Sequence, residues 1–307
     1  MLYDLVIIGG GPAGITAGIY AVRKKLKTLV IAKDFFGQIA KTRQVDNWPG
    51  DLGISGIDLM KKMESHLKSL TSEILAGDKV VNVEKRKNSF LIKTQAGQEL
   101  EGKAVLVATG RTEKKLGVPG EQELVGRGVS YCTICDAPFF QDKRVAVIGG
   151  GNSALGAALD LAKYASEVFI LFKGQTMVAD ECLQGLIKVQ PKIKVFLQKN
   201  IIAIDGQGKV ESVSYQDNVS GNEEQIAVEG VFINIGTVPT VDFLAGLVRQ
   251  NEGGEIEINP KNNATSQEGI FAAGDVTDSS WKQFVIAAGE GAKAALAAYN
   301  YLNKLEN

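Results

Sequence analysis

Apolar residues along this chain fall into short continuous runs, two of which are closed by glycine and followed by a stretch of helical period. Leu5–Ile8 is the first such run, and its unbroken apolar character predicts a strand buried on both faces of a parallel sheet. Gly9, Gly11 and Gly14 follow, and Ile15–Val22 continues as a helix with one apolar face. TLVIA, Thr28–Ala32, is the next strand. The order recurs with a strand Val145–Ile148, then Gly149, Gly151 and Ala154, a helix through Lys163 and a strand Val168–Phe172. Ala104–Arg111 predicts a buried strand closing in a small-residue turn. The stretch from Glu268 predicts a strand, the Gly274–Asp275 turn and a long helix. Strands alternating with helices place the chain in the α/β class, with two Rossmann-like dinucleotide-binding domains.

The two glycine clusters explain that assignment. In a G-x-G-x-x-G turn, Gly9 permits the tight bend, Gly11 lets backbone approach a pyrophosphate, and Gly14 lets the helix pack on the strand. The free N–H groups of the helix start then face the phosphates. Asp34 lies 20 residues beyond Gly14, where an acid takes ribose hydroxyls. Gly149, Gly151 and Ala154, with Asn152 and Ser153 between, form the G-x-G-x-x-A variant. One such turn is weak evidence. Two complete strand–turn–helix–strand units point to a protein holding two dinucleotides, FAD on one and a nicotinamide nucleotide on the other. Asp275, at a strand end before a helix, is placed to accept from flavin ribityl hydroxyls.

Size and charge narrow the classes. The 307 residues suit two domains of ~150 each. At 45% hydrophobic, 22% charged and a net charge of -1, the chain lacks the basic excess of a nucleic-acid or membrane-surface binder. No apolar run reaches the ~18 residues of a membrane span, and the start lacks the pattern of a signal peptide. Three cysteines without an export signal point to a reducing cytoplasm. The single histidine, His66, fits the polar face of a helix. Cys132 and Cys135 form one C-x-x-C, a spacing that serves half a zinc site, a local disulfide or a redox dithiol. Zinc needs two further ligands, and the other candidates, Cys182 and His66, lack paired spacing, with Asp136 a possible oxygen donor; no metal is expected. At a helix start, a C-x-x-C has one thiolate held by N–H groups, its pKa drawn to ~7 or lower. Cys182, in a helical pattern, is expected as a buried bystander.

GGGPAG, GQIAKTRQVDNWPG, VATG, GVPGE, GVSYCTICDAPFF, VAVIGGGNSA, VFINIGTVP, FAAGDVTD and IAAGEGAKAAL together resemble the low-molecular-weight thioredoxin reductase family of pyridine nucleotide-disulfide oxidoreductases. Within it the likeness is closest to the flavoprotein reductase part of alkyl hydroperoxide reductase, without that protein's N-terminal extension. The resemblance implies an FAD domain, residues 1–112 and 242–307, interrupted by a nicotinamide-type domain, 113–241, that carries the C-x-x-C. It implies FAD contacts at Gly9, Gly11, Pro12, Ala13, Gly14, Gln38, Asn47, Gly274, Asp275 and Gln283, and a homodimer. It makes Cys132–Cys135 the redox disulfide, with Cys135 facing the flavin, Cys132 attacking the partner's disulfide and Asp136 as general acid. The residue-level alternative for Asp136 is a helix N-cap. The family's cycle also implies a swivel of the inserted domain on connections near 112–117 and 240–244.

Three departures qualify the picture. NADPH-using relatives carry H-R-R-x-x-x-R where this chain has Phe172, Lys173, Gly174 and Val178, so the Arg forks for a 2′-phosphate are missing. NAD-using relatives place Glu at the Phe172 position, and that too is absent. With the fingerprint intact and no repelling acid in the stretch, NADH is expected ahead of NADPH, with reduced ferredoxin the alternative donor. The family's ribose acid aligns with Lys33 rather than Asp34. Ala137–Pro138 stands where many relatives have Gly followed by an aromatic or Pro, a difference that bears on partner docking. The expected function is disulfide reduction of a thioredoxin-like or glutaredoxin-like protein, with a link to a peroxidase. A flavin redox sensor is the reading from another class.

Overall fold

The computed structural model describes residues 2–42, 45–70 and 73–305. The chain divides into two units, Met1–Thr112 with Val238–Asn307, and Glu113–Thr237. The expected second crossing is at 241/242. The division falls slightly earlier, at 237/238, and Val241 is buried in the core of the first unit.

In the first unit, the strand Leu2–Ile8 pairs in parallel with Thr28–Ala32 on one side and Glu99–Val107 on the other. Glu73–Ala76 extends the first side. On the second side, Glu99–Val107 serves two neighbours along one edge. Its first half pairs antiparallel with Phe90–Thr94, which in turn pairs with Val80–Lys85. Its last residues, Val105–Val107, pair in parallel with Ile270–Ala272, from beyond the insertion. The apolar run Leu5–Ile8 is buried on both faces, as its pattern requires. Leu5 and Ile7 pack under the helices Pro12–Arg23 and Phe284–Leu305, while Val6 and Ile8 pack against Val83, Phe90 and Phe243. Those helices approach closely: a Cβ on Gly291 would lie 2.1 Å from the Ala13 carbonyl oxygen.

The second unit holds an all-parallel sheet in the order Ile193–Leu197, Glu167–Phe172, Arg144–Ile148, Gly230–Ile233, Val129–Ser130. From Arg144–Ile148 the chain winds outward through the next two strands, then returns to the other flank with Gly230–Ile233. The winding direction thus reverses between Arg144–Ile148 and Gly230–Ile233. A three-stranded antiparallel sheet, Lys199–Asp205, Ser212–Asp217 and Glu223–Ala227, fills the interval before that return. The helix Asn152–Leu161 follows the glycine turn. Cys182 corrects an expectation: it is exposed, because the helix Glu181–Val189 buries Ile187 and turns Cys182 outward. His66 is exposed on the helix Gly56–Ser69. Among the described residues no helix is long and apolar enough to cross a membrane.

Candidate functional site

The first unit builds a cradle at the carboxyl ends of its parallel strands. Gly9 has φ +122°, and a Cβ there would lie 2.2 Å from the Ala108 carbonyl oxygen. A Cβ on Gly14 would lie 1.9 Å from the Gly9 carbonyl oxygen. Both positions therefore exclude a side chain for reasons internal to the fold. Gly11 differs, since a Cβ there would meet nothing within 4 Å. Its bareness leaves open space above a helix start, where Pro12 occupies the first turn and no side chain caps the N–H groups. Gly274, at φ +78°, brings the last strand's turn against the same helix, 3.1 Å from the Ala13 Cβ to an added Cβ. Its N–H donates to the buried Glu290 carboxylate at 2.8 Å. The arrangement has the backbone donors, free space and positive end of a helix dipole that a pyrophosphate requires.

Beside the cradle, Asp275 is partly buried. Burial pushes its carboxyl up, the Lys282 and Arg111 charges pull it back, and Glu290 adds to the rise. The fold brings Asn47 and Gln283 together, with Asn47 Nδ2 donating to Gln283 Oε1 at 3.3 Å. Trp48 and Phe284, the next residues along, make an edge-on contact with ring centroids 5.0 Å apart. Gln38 Nε2 donates to the Arg111 carbonyl at 3.0 Å. Asp34 and Lys33 are both exposed at the end of Thr28–Ala32, and Asp34 Oδ1 accepts from the Phe36 N–H at 3.1 Å. The last helix begins only at Phe284, so Gly274–Asp275 does not lead straight into it as expected; the Gln283 carbonyl accepts the helix's first bond.

The second unit repeats the cradle. A Cβ on Gly149 would lie 2.2 Å from the Asn234 carbonyl oxygen and 3.0 Å from the Ala154 Cβ, while Gly151 is open save for Val178 at 3.9 Å. No side chain caps the helix Asn152–Leu161. The Phe172 ring lies against Gly150 and Gly174, within 2.5 Å of a Cβ on either. An apolar ring thus covers the strand end. The Lys173–Val178 loop folds back, with the Val178 N–H donating to the Gly150 carbonyl at 2.9 Å. One expectation is corrected here. Asn152 Nδ2 donates to Asp180 Oδ2 at 2.8 Å and the Asp180 N–H donates to Asn152 Oδ1 at 2.7 Å, so an acid does stand beside the helix start. Ser153 Oγ donates to Asn234 Oδ1 at 3.1 Å, while Asn234 Nδ2 is out of water without a partner. Asn234 lies outside both glycine fingerprints. Its signal was a polar residue between a buried apolar strand and a glycine turn.

The same unit carries the C-x-x-C. Cys132 and Cys135 are joined by a disulfide, with Cα atoms 5.4 Å apart. Cys132 precedes the one-turn helix Thr133–Asp136, and its Sγ accepts from the Cys135 N–H at 3.3 Å. Ser130 Oγ accepts from the Cys132 N–H at 3.0 Å. Asp136 stands at the N-cap position of the 3-10 turn that follows it, without a side-chain capping bond. A disulfide leaves neither sulfur as a thiolate ligand. Among the described residues no cluster of three or more His, Cys, Asp and Glu side chains is arranged for a metal ion. Next to the disulfide, Glu121 is almost wholly buried. It accepts from the N–H groups of Leu116 (3.0 Å) and Gly117 (2.7 Å) and from the Tyr131 hydroxyl (2.6 Å).

Comparison with known proteins agrees with this geometry. The family profile described as pyridine nucleotide-disulphide oxidoreductase matches residues 3–291. The chain is 39% identical over 300 residues to the Bacillus subtilis protein named NADH dehydrogenase, over 98% of this chain and 58% of that one. It is 40% identical over 304 residues to a Pseudomonas putida protein named as a component of alkyl hydroperoxide reductase, again over 98% and 58%. The chain thus spans a little under three-fifths of the length of these curated relatives. The crystal structure of Lactococcus lactis thioredoxin reductase superposes with a TM-score of 0.88 at 35% identity, covering 98% of this chain and 99% of that one.

Proposed function

The chain belongs to the pyridine nucleotide-disulphide oxidoreductase family, and on that footing we propose that it is an FAD-dependent protein-disulfide reductase whose working disulfide is Cys132–Cys135. The observation that carries the proposal is that disulfide, seated at a helical turn in a unit with its own dinucleotide cradle. FAD suits the first cradle: Gly9, Gly11, Pro12, Ala13 and Gly14 leave room and donors for the pyrophosphate. Asp275 would take ribityl hydroxyls, and Gln38, Asn47 and Gln283 would supply amides to the ring or ribityl chain. Asp34, exposed at the strand end, is the candidate for the adenosine ribose. When bound, a flavin accepts two electrons from a reduced donor and releases them to a disulfide.

The chain's own residues then divide the work. Two electrons and two protons convert Cys132–Cys135 to a dithiol, with Asp136 as the proton relay. The Cys135 N–H holds the Cys132 sulfur as a thiolate. That thiolate attacks the partner's disulfide, one partner sulfur leaves, and a mixed disulfide forms. Cys135 attacks the mixed disulfide, releasing the partner's dithiol and restoring the resting bond. The partner is a thioredoxin-like or glutaredoxin-like protein. The alkyl hydroperoxide reductase relatives favour one in a peroxidase pathway.

NADH is the proposed donor, held at Gly149, Gly151, Asn152, Ser153 and Ala154. Phe172 offers no charge to a 2′-phosphate. The name of the Bacillus subtilis relative agrees. The covered Phe172 end equally suits a ferredoxin donor, which is the second reading. A homodimer and a cytoplasmic location complete the proposal, resting on the family and on cysteine usage. The test is anaerobic. NADH is expected to bleach the oxidised flavin faster than NADPH, and Cys135→Ser to abolish disulfide turnover while leaving bleaching intact. NADPH outpacing NADH overturns the donor. Bleaching by dithionite alone turns the search to ferredoxin. Full turnover in Cys135→Ser overturns the reductase.

A further inference from the structure

Asn234 stands directly after the strand Gly230–Ile233, and its N–H donates to the Ile148 carbonyl at 2.8 Å. Its own carbonyl lies flush against Gly149, the first glycine of the second fingerprint. Asn234 therefore sits at the carboxyl ends of the two strands between which the winding direction reverses, the crevice where open α/β sheets bind ligands. Its side chain has a defined orientation. Ser153, in the first turn of the helix Asn152–Leu161, donates to Oδ1 at 3.1 Å, which leaves Nδ2 as the outstanding group. That nitrogen is out of water and has no acceptor among the described residues. An unpaired buried donor is destabilising, and an apolar side chain of the same shape would remove the penalty. Such a group is explained when a ligand brings the acceptor.

We propose that Asn234 is a binding residue for the nicotinamide half of the dinucleotide, its Nδ2 donating to an oxygen of the pyrophosphate–ribose junction. The inference rests on the reading that this unit binds a nicotinamide dinucleotide. The helix N-terminus after Gly151 addresses the pyrophosphate. A dinucleotide laid across the reversal has its adenosine half toward Glu167–Phe172 and its other half toward Gly230–Ile233. Asn234 is the polar side chain at that second strand end. Ser153 acts through it as a positioning residue, its hydroxyl holding Oδ1 and so fixing which end of the amide is left unpaired.

The test is equilibrium binding by calorimetry to the FAD-loaded, oxidised protein, using NAD⁺, ADP-ribose and AMP in turn. Asn234→Ala is expected to weaken NAD⁺ and ADP-ribose about tenfold or more, the loss typical of a hydrogen bond to a charged acceptor, and to leave AMP unchanged. Asn234→Asp keeps the shape and the acceptor for Ser153 but replaces the donor with a charged oxygen, so its loss should be larger. Ser153→Ala should lose less, in the same direction. The flavin spectrum of each variant reports that the protein is folded. Parental affinity for NAD⁺ and ADP-ribose in both Asn234 variants overturns the inference, and so does an equal loss for AMP, which would mark a structural role. If the parent protein binds none of the three, the dinucleotide reading fails and this inference fails with it.

Discussion

Removing the Glu121 carboxylate should loosen the segment that holds the disulfide. Burial alone would raise its pKa, but the bonds from Tyr131, Leu116 and Gly117 and the Lys115 charge hold it below the usual carboxylate range. Lys115 Nζ lies 3.5 Å from the Tyr131 ring centroid, closing the cluster. Glu121→Ala orphans two backbone N–H groups and one phenol. At about 1–3 kcal/mol for each buried group, and with some water entering the space, a loss of about 3–5 kcal/mol is expected. Glu121→Gln keeps one acceptor but turns an NH₂ toward a donor, so about 1–3 kcal/mol is expected. Denaturant unfolding gives the totals, and hydrogen exchange at the Leu116 and Gly117 amides shows whether the loss is local. The sign with pH follows from the depressed pKa. The stabilisation is present above the unfolded carboxyl value of ~4.3 and is lost as pH falls through the lower folded value. The parent should therefore lose stability in acid more steeply than Glu121→Gln. A Gln variant within about 0.5 kcal/mol of the parent at neutral pH, with the same acid slope, would refute the reasoning.

Two further results are expected. Gly14→Ala drives a Cβ to 1.9 Å from the Gly9 carbonyl, so the flavin-free protein should melt markedly lower, by about 1–3 kcal/mol or more of stability; Gly11→Ala meets no atom and should keep the melting temperature while retaining less flavin. The oxidised protein should take up one maleimide, on exposed Cys182, and three after reduction, by mass spectrometry; no labelling before reduction would contradict the exposed thiol.

The sequence carried most of the architecture because glycine spacing is a backbone requirement. Gly9 and Gly14 are bare since the neighbouring carbonyls leave no room, and Gly11 since the space beyond it is open. Each reason leaves the same mark in the chain. The pairing of Asn47 with Gln283 left no such mark, because two exposed amides far apart in sequence have no period to betray them. Cys182 was misjudged because a helical pattern fixes which residues share a face but not which face is covered. The Asp180–Asn152 pair is hidden for a related reason: the two residues are far apart in sequence, and the acid arrives only where the loop folds back onto the helix start. The late start of the last helix, at Phe284, follows from a segment in which the Thr277 hydroxyl bonds the Gly274 carbonyl and Lys282 bonds Glu255, contacts that compete with helix formation.

The strand Glu99–Val107 bears on how the chain is made. Its last residues await Ile270–Ala272, which the ribosome delivers only after the whole of Glu113–Thr237. At about 5–20 residues per second, that interval lasts on the order of ten seconds or more. Throughout it the nascent first unit presents an unpaired edge at Val105–Val107, while the inserted unit, continuous in sequence, already has every strand of its parallel sheet. The inserted unit is therefore the one able to complete first, although it begins second. Substitutions that slow its folding would prolong the exposure of an edge in a domain they never touch.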